Sequence, residues 1–226
     1  MSIYAFSDLH GHLDLYKQIK EYVKPEDTLY CLGDCGDRGP QPWETIKAVL
    51  RDPQVTYLKG NHEDMLVAAA REALHEDMCC SYRQRVLANN GGMPTLEGLL
   101  AEEKVGMWIA ELKKLPTNTL YINSSNKKIL MSHAGFTWDG SLPEEEGLLW
   151  DRNHIWDSWQ KNSPYIMLHG HTPWQHIVRE LRLESPVDKP LWYNHGQKCC
   201  IDNWTYRTKS VFLLNLDTFE SKMFTI

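Results

Sequence analysis

The chain has 226 residues, 42% of them hydrophobic and nine of them tryptophan, enough for one large domain or two small ones. Lys and Arg total 24 against 30 Asp and Glu, so the chain is acidic at −6 and lacks the basic footprint of a general nucleic-acid binder, although a locally positive site remains open to it. No apolar stretch approaches the ~20 residues of a membrane span, and Met1–Phe6 is too short and too uncharged for a signal peptide.

Taken in order, Ile3 to Phe6 reads as a first strand, broken by Ser7-Asp8-Leu9-His10-Gly11-His12. Leu15, Ile19 and Tyr22/Val23 then fall at helical spacing, and Pro25 stops that helix. Thr28 to Leu32 is a second strand, running into Gly33-Asp34-Cys35-Gly36-Asp37-Arg38-Gly39. Pro40 and Pro42 precede a helix to Leu50. Gln54 to Leu58 is a third strand, followed by Gly60-Asn61-His62-Glu63 and a helix to about Asp77. Strand, loop and helix repeated three times predict an α/β fold with parallel strands.

Residues 78–116 read as a helical insert within a single domain, 1–226, with Leu87, Leu96, Leu99, Trp108, Ile109 and Leu112 at helical spacing. Thr119–Asn123 and Lys128–Ser132 form a predicted hairpin ending in His133-Ala134-Gly135. Residues 136–150 are expected to be a loop with a solvated acidic run, Glu144 to Glu146, and Trp150–Lys161 a helix. Tyr165–Leu168 is a strand ending in His169-Gly170-His171-Thr172-Pro173. Four antiparallel strands are predicted after Leu191: Leu191–Tyr193, Lys198–Ile201, Ser210–Leu216 and Phe219–Ile226. Cysteines at 31, 35, 79, 80, 199 and 200 show no zinc-finger or Cys-x-x-Cys spacing and read as reduced thiols of a cytoplasmic protein, Cys35 as a small filler.

Five of these apolar runs end in loops bearing metal-ligand residue types: Asp8 and His10, Asp34, Asn61 and His62, His133, and His169 or His171. Open α/β sheets bind ligands beyond the carboxyl ends of their strands. Carboxylate, amide oxygen and imidazole suit Mn²⁺, Fe or Zn²⁺. So many ligands exceed one catalytic ion and fit two, about 3.5–4 Å apart, with Asp34 as the natural bridge. Two such cations stabilise phosphoryl charge and acidify a bridging water. Arg38 and Arg152 can clamp phosphate oxygens, and His62, oriented by Asp37, can protonate a leaving oxygen. At 169 and 171 either histidine can serve. His12, His75, His154, His176 and His195 read as surface or supporting residues. Trp138, Trp150 and Trp174 read as packing, with an aromatic rim for a phosphotyrosine or nucleobase as the alternative.

The series Asp8-Leu9-His10-Gly11, Gly33-Asp34-Cys35-Gly36-Asp37-Arg38-Gly39, Gly60-Asn61-His62-Glu63, His133-Ala134-Gly135 and Gly170-His171-Thr172 resembles the signature of the phosphoprotein phosphatases among the calcineurin-like metallophosphoesterases. Leu149-Trp150-Asp151-Arg152 and the short chain resemble the bacterial and phage branch typified by lambda phosphatase. The resemblance implies a central two-sheet β-sandwich flanked by helices and a dinuclear centre, with Mn²⁺ the first expectation. It implies Asp8 and His10 on one ion, Asp34 bridging, and Asn61, His133 and His171 on the other. It further implies His62 with Asp37 as the acid pair, and Arg38 with Arg152 on phosphate. The implied activity is hydrolysis of phosphoserine, phosphothreonine or phosphotyrosine in proteins by attack of a metal-bridging hydroxide, with no membrane or nucleic-acid partner. A symmetrical dinucleoside-tetraphosphate hydrolase is the alternative, in which the residue matching Asp37 is usually alanine; a silent phosphopeptide-binding protein is the third reading. Three positions depart from the pattern. Ser7 replaces a glycine. Gly36 replaces a bulkier residue and is expected to loosen Asp37. Lys59 replaces an arginine and loses its bidentate fork.

Overall fold

The computed structural model describes residues 1–74, 82–138, 140–157, 163–186 and 188–226. Its first sheet contains β1 (Ile3–Phe6), β2 (Thr28–Cys31) and β3 (Val55–Tyr57), and β9 (Ser210–Asn215) and β10 (Ser221–Thr225) from the far end of the chain. The spatial order is β10-β9-β1-β2-β3. The first three strands are parallel, with Ala5 opposite Tyr30 and Tyr30 opposite Thr56, while β9 joins β1 antiparallel.

The crossovers between the parallel strands are α1 (Leu13–Tyr22) and α2 (Pro42–Leu50). α1 buries Leu15, Tyr16 and Ile19, and the chain turns extended at Val23 before Pro25. α2 starts on Pro42, whose fixed φ and missing N–H suit a first helical turn. α3 (Asn61–Ala73) follows β3 and packs with α4 (Tyr82–Asn89), α5 (Met93–Leu100) and α6 (Val105–Lys113) on the same side. The predicted insert is therefore three short helices over one face of the first sheet. Their core includes Trp43, Leu66, Leu87, Leu99, Trp108 and Leu112. Cys79, Cys80, His75 and the expected end of α3 near Asp77 lie outside the described residues.

The second sheet runs β4 (Asn118–Ile122), β5 (Lys128–Ser132), β6 (Tyr165–His169), β8 (Lys198–Cys200), β7 (Leu191–Tyr193). The hairpin β4–β5 forms as expected. The later strands pair antiparallel with one another as expected, β7 with β8 and β9 with β10, but β8 also lies parallel to β6, with Leu168 opposite Cys199. They also divide between the two sheets, because β9 must cover the open side of β1. Side chains of both sheets, among them Ala5, Leu32, Leu58, Ile129, Met131, Leu168, Cys199 and Leu214, make a dry layer between them. The outer face of the second sheet is covered by α7 (Glu145–Trp150) and α8 (Trp174–Leu181), through Leu148 and Ile177. A short α9 (Thr205–Thr208) follows β8. The result is an α/β fold of two stacked mixed sheets flanked by helices.

Two expected segments differ. The acidic run is not a plain loop: Glu145 and Glu146 open α7, where carboxylates complement the helix N-terminus, and Glu145 accepts a 2.6 Å bond from Lys59. The helix expected over Trp150–Lys161 is interrupted. The chain is extended at Asp151 and makes one 3₁₀ turn, Asn153–Ile155, because Asp151 takes the backbone N–H groups of Asn153 and His154; residues 158–162 lie outside the described residues. Cys31, Cys35, Cys199 and Cys200 are free and buried. Among the described residues no helix is long and apolar enough to cross a membrane.

Candidate metal centre

All site loops leave the carboxyl ends of strands. β1 delivers Asp8 and His10, β2 delivers Asp34, Asp37 and Arg38, and β3 leads to Asn61 and His62 at the start of α3. The backbone turns sharply there: φ is 55° at Asp8, 42° at His10, 57° at Asp34, 65° at Asp37, 66° at Arg38 and 64° at His171. Asp and His tolerate this left-handed region better than most residues, and such outliers gather at functional sites. Neighbouring backbone fixes the turns, with Asp8 N–H on Gly33 O (3.0 Å), His10 N–H on Asp34 O (3.0 Å) and Gly11 N–H on Cys35 O (2.7 Å). Gly60 must be glycine, since a Cβ there would overlap Asp34 Oδ1.

Glu63 ties two of these loops together. Fully buried, it accepts from the N–H groups of Asp34 (2.8 Å), Cys35 (2.9 Å) and Gly60 (2.8 Å) and from the Tyr57 hydroxyl (2.8 Å). One carboxylate thus caps α3 and anchors the loop after β2.

The result is two buried triads of ligand atoms, each within 4.8 Å of one another: His10, Asp34 and His62, and Asp34, His133 and His171. Asp34 belongs to both. Asp8 Oδ1 lies 4.0 Å from His10 Nε2, beside the first triad, with Asp8 held by the Ser7 hydroxyl (2.5 Å) and the His171 N–H. Asn61 Oδ1 faces the second triad, 2.9 Å from His133 Nε2 and 3.0 Å from His171 Nδ1.

The outer nitrogens of two rings are committed elsewhere. His10 Nδ1 donates to Gly36 O (3.1 Å) and His133 Nδ1 to Leu32 O (2.8 Å), which turns each Nε2 toward the centre. Burial, His62 and Arg38 hold His10 well below the usual imidazole range; burial, His133 and Arg152 do the same to His171. Burial opposes the charge on Asp34, but His133 and His62 outweigh it and hold the carboxyl well below its usual range. Burial and the neighbouring Asp202 push Asp8 well up. Among the described residues His171 Nε2 has no hydrogen-bond partner. Carboxylate and amide oxygens and imidazole nitrogens converging in one buried space fit a pair of divalent cations of the Mn²⁺, Fe or Zn²⁺ kind.

His62 has a second set of contacts. Its Nδ1 donates to Asp37 Oδ2 at 2.5 Å, and Asp37 is in turn gripped by Thr95, whose hydroxyl donates to Oδ1 and accepts the Asp37 N–H (3.0 Å). Burial works against the imidazolium of His62, yet Asp34 and Asp37 raise it above its ordinary value. Contrary to the expectation from sequence, Asp37 is held in place despite Gly36, by Thr95 and His62. A Cβ at Gly36 would meet Ile46 Cδ1 at 2.7 Å and Thr95 Cγ2 at 3.2 Å, so the missing side chain makes room for the residue that holds Asp37. Ser7 is equally well accommodated. Lys59 is buried and pairs with Glu145 at 2.6 Å.

Arg38 Nη1 and Nη2 lie 2.9 Å from His10 Nε2 and His62 Nε2. Arg38 and Arg152 line a cleft of about 280 Å³ with His10, His171, Asp202 and Tyr206. His169 is excluded from the centre: its ring meets Gly170 O (3.0 Å) and the Tyr193 hydroxyl (2.8 Å). Trp150 packs edge-on to His171, 6.1 Å between ring centres. Of the histidines expected at the surface or in a supporting role, His12 and His154 are buried, His154 edge-to-face with His169 at 4.8 Å. Thr95, Asp202 and Tyr206 carry no spacing signal of their own; Glu63 had a cue, as the third residue of a helix capped by Gly60.

A model of the calcineurin-like phosphoesterase family matches residues 1–197. Among curated relatives, a symmetrical bis(5'-nucleosyl)-tetraphosphatase of Pseudomonas syringae pv. syringae is 42% identical over 77 residues, 32% of this chain and 26% of that one. One of the same name from Delftia acidovorans is 25% identical over 177 residues, 76% of this chain and 58% of that one. The chain spans between about a quarter and three fifths of the length of these relatives. Among solved structures, a putative diadenosine tetraphosphatase has a TM-score of 0.65 at 14% identity, covering 98% of this chain and 92% of that one. A protein serine/threonine phosphatase from Saccharomyces cerevisiae has 0.63 at 15%, covering 100% and 80%. The family match, the stacked sheets and the buried Asp-His-Asn centre agree: the chain belongs to the calcineurin-like phosphoesterase family.

Proposed function

We propose that the chain hydrolyses phosphoric esters or anhydrides at a two-cation centre built on Asp34. The observation that carries this reading is the sharing of Asp34 by two buried ligand triads. Asp8 and His10 would hold one ion, Asn61, His133 and His171 the other, and Asp34 both, with Mn²⁺ the first choice. When bound, two such ions supply the charge that draws phosphoryl oxygens and acidifies water. The other groups act through their own contacts. Arg38 and Arg152 face the cleft from two sides and present planar donors to phosphoryl oxygens. Asp37 fixes the tautomer of His62, so that Nε2 is the nitrogen that delivers a proton to the departing oxygen.

For the substrate we place a symmetrical dinucleoside tetraphosphate first, because the curated relatives carry that name. A second reading, a phosphomonoesterase of protein side chains in the manner of the lambda phosphatase branch, is favoured by the Asp37–His62 bond. A serine or threonine alkoxide needs a proton to leave, whereas a nucleoside diphosphate is a far better leaving group and depends less on an acid. Side-by-side turnover with Mn²⁺ on diadenosine tetraphosphate and on phosphoserine, phosphothreonine and phosphotyrosine peptides separates the two. Faster cleavage of the tetraphosphate upholds the first; faster release of phosphate from peptides replaces it with the second. No turnover of either class overturns both.

A further inference from the structure

The loop after β8 builds a rigid frame beside the centre. Asp202 Oδ1 accepts the Trp204 N–H (2.7 Å) and its carbonyl accepts the Trp174 N–H (3.1 Å). Asn203 Oδ1 accepts Trp174 Nε1–H (2.7 Å), Asn203 Nδ2 donates to Ser210 Oγ (2.7 Å), and the Thr208 hydroxyl closes on Asn203 O (2.9 Å). The two ends of α9 are left-handed, with φ 58° at Trp204 and 56° at Lys209. A tryptophan in that region is an outlier that the surrounding bonds must hold.

What this frame presents is the ring of Tyr206. Its centroid lies 4.7 Å from Cζ of Arg38, within the range of a cation–π contact, and it meets the His10 ring edge-to-face at 5.8 Å. Arg207 stacks on Trp204 at 4.5 Å and braces the same wall. Of the guanidinium edges, Nε donates to Asn90 O (3.3 Å), while Nη1 and Nη2 lie 2.9 Å from His10 Nε2 and His62 Nε2, the nitrogens read above as a cation ligand and the proton donor. The Nε bond anchors one edge, and the Nη edge points into the centre, where a phosphoryl group would meet it once a cation takes His10 Nε2. A ring on the guanidinium restrains the tilt of its plane, which decides whether two N–H groups or one can meet a phosphoryl group.

We propose that Tyr206 is a positioning residue that holds the guanidinium plane of Arg38 so that its Nη edge faces the phosphoryl group; this rests on the reading of Arg38 as a phosphate-binding arginine. The hydroxyl of Tyr206 has no part in it, so phenylalanine serves equally. A double-mutant cycle on the full Mn²⁺-loaded chain tests it, with Tyr206→Leu, Tyr206→Phe, Arg38→Gln and Tyr206→Leu combined with Arg38→Gln. The readouts are kcat and KM on p-nitrophenyl phosphate, orthophosphate affinity by calorimetry, and bound metal. Tyr206→Leu should raise KM and weaken orthophosphate about five- to tenfold, the scale of a partly desolvated cation–π contact, with metal content intact and kcat changed less than KM. Tyr206→Phe should return both to within about twofold. In the Arg38→Gln background Tyr206→Leu should add nothing. Equal losses in both backgrounds, a phenylalanine variant as damaged as leucine, or loss of metal would overturn the proposal. If Arg38→Gln itself leaves KM and orthophosphate affinity at wild-type values, the phosphate role of Arg38 falls first.

Discussion

The two ligand triads share Asp34 but are built in different ways. His10, Asp34 and His62 come from the ends of three neighbouring parallel strands of one sheet, within residues 10–62. His133 and His171 come from the second sheet and meet Asp34 only because the sheets are stacked; His171 is 110 residues from Asn61, whose side chain it touches. The first triad therefore depends on local strand–loop–helix geometry and the second on the dry layer of Leu32, Leu58, Met131 and Leu168 between the sheets. A centre of this kind can lose half its ligands through a packing defect that leaves every motif intact.

The harshest test of this contrast is Asp34→Asn, which touches both triads. It should remove or disorder both ions and lower turnover by about three orders of magnitude or more, on the scale of a bridging ligand in a two-metal site; two fully occupied ions with normal turnover would break the assignment. His171→Asn should act on the second triad alone. Metal analysis should then fall toward one ion per chain, with activity down about a hundredfold. Retention of both ions would show that the second site does not need the second sheet. His62→Asn should keep both ions and slow alkyl phosphates by about 10²–10⁴-fold, with a smaller loss on p-nitrophenyl phosphate, whose leaving group needs no acid. Equal losses on both would make His62 a ligand of the first triad, which its place within 4.8 Å of His10 and Asp34 also allows. Thr95→Val is the mildest. It removes the hydroxyl that grips Asp37, so activity on alkyl phosphates should fall about three- to tenfold while metal content stays at two, the scale of one ordinary hydrogen bond of about 1 kcal/mol.

Most of the first triad was legible because its residues are close in sequence and each follows an apolar run that can only be a buried strand. Asp8, His10, Asp34 and Asn61 stand where those strands end, and His62 is the next residue. His133 and His171 were legible only as further strand ends, and spacing left His169 and His171 equivalent. The bonds of His169 to Gly170 and Tyr193 separate them. Gly36 was misread for a related reason: its neighbours are Ile46 and Thr95, and Thr95 belongs to α5, 58 residues beyond Asp37. The division of the last strands between two sheets was not legible, because alternating apolar residues mark a strand but not the sheet it joins.

By itself the sequence determined the α/β alternation, the loops that carry the candidate site, and the residue types that could hold metal ions there, since these depend on local periodicity and on the donor chemistry of Asp, Asn and His. Tertiary structure alone decided which histidine of the pair enters the centre, that Thr95 rather than chain stiffness holds Asp37, and that Tyr206 lies against Arg38. Each of those is a contact between distant segments, set when two sheets and their covering helices exclude water together.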